Sequence, residues 1–152
     1  MSFSTPETAF PKISPLMKTL VFAGGLPFVF GALLSLADGS FLGIAANHFL
    51  LSYGAVIASF VSGLHWSREM FGKNSGYPLL IISNVTALAA WLALMTGGST
   101  GLALLILVFA ALLYIDHKLR VALSVTREFF KLRAAITALV ISCLFIGLIA
   151  GL

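Results

Sequence analysis

The chain has 152 residues, 60% of them hydrophobic and only 9% charged, with a formal net charge of +4. A water-soluble domain carries about 25% charged residues, so a chain this apolar has no surface to present to water and takes lipid as its solvent. The length allows a single domain, and no nucleic-acid partner is expected, because the positive charge is placed as membrane loops require.

Residues 1–17 hold Pro6, Pro11 and Pro15 among small polar residues and read as an irregular tail. Thr19–Ala37 is uncharged and forms a first span. Within it Gly24-Gly25-Leu26-Pro27 predicts a kink at Pro27, since proline removes a backbone donor. The run exceeds the roughly 7–15 residues of a signal-peptide core, so a retained helix is expected. Asp38-Gly39-Ser40 makes a turn, and Ala46–Trp66 is a second span. Arg68, Glu69 and Lys73 mark a short polar loop.

From Asn74 to Ile115 there is no charge. A spanning helix needs about 20 apolar residues, so this run holds two, divided at Gly97-Gly98-Ser99: Tyr77–Thr96 and a short Thr100–Ile115 that must borrow residues from one end. Asp116–Arg133 is charged, and Ala134–Leu152 is the fifth span. Backbone groups in hydrocarbon must be paired internally, which makes each run a helix. The expected fold is therefore all-α: an integral membrane bundle of five transmembrane helices over residues 18–152. The lone Cys143 excludes an internal disulfide.

Five spans leave three segments on one side. They carry two cations (Lys12, Lys18), two (Arg68, Lys73) and five (Lys118, Arg120, Arg127, Lys131, Arg133), and the other side carries none. Cationic loops stay cytoplasmic, so the N-terminus is expected inside and the C-terminus on the far side.

Polar residues in a membrane are costly and mark the places to examine. On a helical wheel His48, Ser52, Ser59, Ser62 and Trp66 fall within an arc of roughly 100°, opposite Tyr53, Ile57, Phe60 and Leu64. The expected role of this arc is a packing seam facing other helices, with Ile57 and Leu64 toward lipid. The alternative is a polar path from His48 to Trp66. Asn84 and Thr86 can bond across helices; the Asn84-Val85-Thr86 glycosylation pattern lies within a span and is discounted.

At the basic helix ends stand His65, Trp66 and Arg68, and then Asp116, His117 and Arg120. A helix C-terminus favours cations, so Asp116 requires a compensating partner. Arg68 from the neighbouring helix is the expected one with His65 adjacent, and Arg120 at i+4 is the local alternative. No dense His/Cys spacing, Ser/His/Asp order, phosphate loop or carboxylate pair occurs, so no catalytic residue, metal or cofactor is expected. Taken as a helix, residues 117–133 put His117, Arg120, Ser124, Arg127, Glu128 and Lys131 on one side, and Val121, Ala122, Val125, Phe129 and Leu132 on the other. Such a segment is either an interfacial helix attracting anionic lipid or a solvated loop.

The run Tyr53-Gly54-Ala55-Val56-Ile57-Ala58-Ser59-Phe60-Val61-Ser62-Gly63-Leu64-His65-Trp66 resembles the signature of an uncharacterised five-helix family that includes transmembrane protein 69. Leu26-Pro27-Phe28, Asp116 and the Leu132-Arg133 entry to the last helix resemble its pattern too. The resemblance implies a bacterial inner membrane or, alternatively, the mitochondrial inner membrane, and implies no activity. The expected function is that of a non-enzymatic accessory or assembly subunit with membrane-protein partners. A small carrier or channel using a polar path along the second helix, and a ligand or porphyrin binder similar to the translocator protein family, are the rivals. Reporter fusions after Gly98 and after Leu152 should both report the periplasmic side; a cytoplasmic signal from either overturns the orientation.

Overall fold

The computed structural model describes residues 13–71, 76–121 and 126–151. Among them, α1 (Pro15–Ala23) and α2 (Leu26–Leu36) build the first span. A minimal hairpin of β1 (Ser40–Phe41) and β2 (Ile44–Ala45) follows, then α3 (Ala46–Phe71), α4 (Leu79–Thr96), α5 (Gly98–Val121) and α6 (Arg127–Ala150). The result is an all-α bundle with five spans, each long and apolar enough to cross a bilayer. Even the shortest, of 18 residues, reaches about 27 Å at about 1.5 Å per residue.

The helix boundaries follow from capping chemistry. Ser14 Oγ accepts from Met17 N at 3.1 Å, and Pro15 occupies the first turn, where a missing N–H costs nothing. The first helix thus opens ahead of the expected Thr19. Residues 1–12 of the expected tail, with Lys12, lie outside the described residues, as does Lys73. Pro27 likewise sits in the first turn of α2 and opens a new helix after the Gly24–Gly25 break, instead of kinking a continuous one. The break leaves the Gly24 carbonyl without a helical partner, and the Tyr53 hydroxyl from α3 donates to it at 2.9 Å.

At the far end, Leu42 and Gly43 both adopt positive φ (52° and 76°). This is the backbone of a two-residue hairpin turn, which joins Phe41 to Ile44. Two-residue strands carry no alternation, so the hairpin is invisible in the hydropathy pattern. Between α4 and α5 the chain reverses through Gly97 at φ 66°, a conformation that glycine adopts without a Cβ penalty. The short fourth span gains residues at both ends and carries Asp116 inside α5.

Thr126 caps α6, its side chain accepting from Phe129 N at 3.2 Å. Residues 117–121 and 127–133 are therefore the ends of two spanning helices, not one helix lying in the headgroup plane. Ser124, Ala122 and Val125 of that expectation lie outside the described residues.

The middle helix α3 packs against α2, α4, α5 and α6; α6 also closes on α2 and α5. The core comprises Phe28, Leu50, Leu51, Ala58, Leu105, Phe109, Leu112 and Leu144. Large side chains such as Val56, Phe60, Leu88, Trp91 and Ile149 remain exposed, as a lipid-facing surface requires. A Cβ on Gly101 would run into the Ala93 carbonyl, whereas one on Gly63 meets nothing within 4 Å. Gly101→Val should therefore cost about 1–3 kcal/mol through overpacking, and Gly63→Ala should be neutral or slightly stabilising. Unfolding titrations in detergent check both; equal midpoints for the two variants would contradict the α4–α5 contact.

Candidate functional site

A carboxylate buried in a membrane protein survives only with partners that replace its lost water. Asp116 of α5 is 3% exposed. Its Oδ1 lies 3.1 Å from His65 Nε2 of α3, and its Oδ2 accepts from Arg133 Nε of α6 at 2.9 Å. Three helices are thus joined through one side chain. Because a carboxylate accepts, His65 Nε2 carries the hydrogen, and a neutral ring leaves Nδ1 as acceptor. His65 is 1% exposed and Arg133 9%. Two polar atoms of the cluster, His65 Nδ1 and Arg133 Nη2, are buried without a hydrogen-bond partner.

The pairing differs from the expected one in its cation. The guanidinium on Asp116 is that of Arg133, seven positions into α6 by inclusive count, and His65 bonds directly instead of standing by. Arg68 lies half-buried within electrostatic reach of both Asp116 and Arg133, with its guanidinium 5.4 Å from the Phe129 ring centre. Arg120 does not take up the i+4 bond; it stands 5.1 Å from the Phe130 ring, and exposed His117 packs on the same ring at 5.6 Å. Sequence reasoning passed over Arg133 because it was counted as a loop cation. The available signal was a charge placed past the first turn of an apolar helix.

The polar arc of α3 is not gathered on one interior surface. Its buried face runs through Leu50, Leu51, Gly54, Ala58, Val61, Ser62 and His65, which centres roughly 90° away from the arc at about 100° per residue. Of the arc, Ser62 is buried and bonds Thr86 of α4 at 2.8 Å, while Ser83 Oγ donates to the Ser62 carbonyl at 2.7 Å. Ser52 is half-buried and donates to its own helix at Phe49 O. His48, Ser59 and Trp66 are exposed, and Ile57, expected toward lipid, packs on the core. A helical wheel gives relative angles and cannot tell which direction faces neighbours. Thr86 bonds across helices as expected; Asn84 bonds Leu80 O of its own helix.

A cleft of about 510 Å³ opens between α1, α3 and α6. It lies where α1 has no buried residue, whereas α2, beyond the Gly24–Gly25 junction, packs on α3 and α6. Leu20, Gly24, Phe28, Ile57, Val61 and Leu132 are among its walls, and Arg133 contributes to the same wall. The site is therefore an apolar cleft ending at a buried ion-paired cluster. Among the described residues no group of three His, Cys, Asp or Glu side chains could hold a metal.

Fold and site together define a five-span membrane protein whose polar cluster ties its helices together beside a lateral apolar cleft. The chain belongs to a family of proteins of unknown function, DUF3429, which it matches over residues 13–149. No curated protein and no solved structure matches it.

If Asp116 serves to hold α3, α5 and α6 together, Asp116→Asn should destabilise the protein by about 3 kcal/mol or more, because Arg133 is left as a buried charge. The double variant Asp116→Leu with Arg133→Met should recover most of that loss. A double-mutant cycle by unfolding in detergent checks this; additive losses would exclude the pair as a unit.

Proposed function

We propose that this protein is a non-enzymatic, membrane-embedded binding protein that holds an apolar molecule drawn from the bilayer. The observation that carries this reading is the lateral cleft of about 510 Å³, a volume within the roughly 300–1,000 Å³ of small-molecule sites. Its walls are apolar and it opens sideways, between helices, where lipid-soluble molecules approach. The Tyr53–Gly24 bond holds the break that creates it.

A second reading, the accessory or assembly subunit, is supported by a different observation. His48, Ser59 and Trp66 are exposed on the outer side of α3, beside the open space at Gly63. Small and hydroxyl residues on an outer helix face suit close approach of a further helix. The two roles are compatible in one protein.

The described cations, Lys18, Arg68, Lys118, Arg120, Arg127, Lys131 and Arg133, belong to helix ends that alternate to one side of the bundle. This supports a cytoplasmic basic end in a bacterial inner membrane, with the mitochondrial inner membrane as the alternative, and contact of residues 117–133 with anionic headgroups. The likeness of Tyr53–Trp66 to transmembrane protein 69 is part of the same reading, since Gly54, Ala58, Ser62 and His65 of that run form the packing face of α3.

Protein purified in mild detergent should carry an apolar molecule in near-stoichiometric amount by native mass spectrometry. Ile57→Trp, which fills the cleft, should lose it while retaining the fold. An empty wild-type protein that also fails to take up any added apolar probe overturns the binding reading; co-purifying subunits with an empty cleft favour the accessory one.

A further inference from the structure

Among the described residues, Arg133 is the single charged side chain that lines the cleft, and Ser14 is the single other polar one. Its Nε is committed to Asp116, while its Nη2 is buried and unpaired. A guanidinium keeps its charge in proteins, so this donor persists under all conditions. On the cleft reading given above, we propose that the occupant is a long-chain fatty acid, with its acyl chain along the cleft and its carboxylate on the Arg133 guanidinium.

Three observations select that chemistry. The first is charge. The helix ends around the cluster carry seven described cations, Lys18, Arg68, Lys118, Arg120, Arg127, Lys131 and Arg133, against three acids, Glu69, Asp116 and Glu128. An anionic head is therefore complementary. The second is depth. Arg133 lies six positions after Arg127, the first residue of α6, which is about 9 Å along the axis, and is 9% exposed. A phosphodiester would have to enter that depth charged and lose its hydration, whereas a carboxylic acid crosses apolar surroundings neutral and gives its proton to water at the basic end of the bundle as it pairs with the cation. The third is geometry. The planar guanidinium fork matches a carboxylate, and Asp116 occupies only part of it.

The headgroup is tested apart from the cleft. Wild-type protein in phosphatidylcholine nanodiscs is titrated with labelled palmitic acid and with cetyl alcohol, which has the same chain, and empty nanodiscs correct for partitioning. The acid should bind saturably and about tenfold or more tighter than the alcohol, the worth of one charge-assisted hydrogen bond. Arg133→Gln should bring the acid down to the level of the alcohol. Leu20→Trp, at an exposed position of the cleft wall, should weaken both probes. Equal affinity for acid and alcohol in folded wild type overturns the carboxylate assignment and leaves the cleft reading standing. Binding of neither probe overturns both. Displacement of palmitic acid by phosphatidylglycerol at equal concentration overturns the single-chain carboxylate in favour of a lipid headgroup. Should Arg133→Gln fail to fold, the ratio of acid to alcohol in the wild type decides.

Discussion

The burial of the Asp116 carboxylate constrains much of the basic half of the bundle. An ionised carboxylate moved out of water costs several kcal/mol even after the protein relaxes. The cost is offset only if donors arrive from elsewhere. His65 must then stand on the α3 turn that faces α5, and Arg133 on the α6 turn at the same depth. Once both are in place, the relative heights and rotations of three helices are fixed. The register is echoed one turn deeper in the membrane, where Ser62, Ser83 and Thr86 join α3 to α4. A polar cluster of this kind gives position more than raw stability, because apolar replacements of similar volume can match it in energy.

The other half of the architecture depends on a discontinuity. Two glycines and Pro27 divide the first span into two helices, so α2 packs with Phe28 in the core while α1 keeps no buried residue. A broken helix leaves polar backbone groups in hydrocarbon, which is tolerable only where another group satisfies them. Tyr53 does so at the Gly24 carbonyl, and its ring meets Phe28 edge-on at 5.0 Å. The cleft is the geometric consequence: α1 stands off from α3 and α6 as one wall of a cleft instead of burying side chains against them.

Much of this was legible in the sequence, and the rest was hidden for definable reasons. Span number and rough position follow from hydropathy and the placement of charges, because lipid admits few alternatives to helix. The need of Asp116 for a partner also follows from its sign at a helix end. The identity of that partner does not, since Arg68, Arg120 and Arg133 are equal as charges and only packing distinguishes them. The orientation of α3 was hidden likewise: a wheel gives relative angles, and the choice of which arc faces neighbours is made by Leu50, Gly54 and Ala58 against Leu105 and its surroundings. The helix starts at Pro15 and Arg127 depend on Ser14 and Thr126 acting as caps, a local signal that the apolar runs overshadow. Function was least legible, because a cleft is made by the spacing between helices and no residue pattern records it.

The geometry of the cluster bears on whether it is a fastener alone. An arginine placed only to neutralise a carboxylate does so best as a fork-to-fork pair, with two parallel bonds. Here the two carboxylate oxygens are divided, one to an imidazole and one to the guanidinium Nε. The division satisfies Asp116 and leaves its partners incompletely paired: Arg133 retains a buried donor, and His65 retains a buried ring nitrogen. Unpaired buried polar atoms cost about 1–3 kcal/mol each, and Arg133, which carries one of the two, also lines the apolar cleft, so the cluster bears a cost that fastening alone does not explain. An acceptor supplied from within the cleft to Arg133 Nη2 would offset its share of that cost, and the stability gained would couple occupancy to the alignment of α3, α5 and α6. The same residues would then fasten the bundle and report whether its cleft is filled.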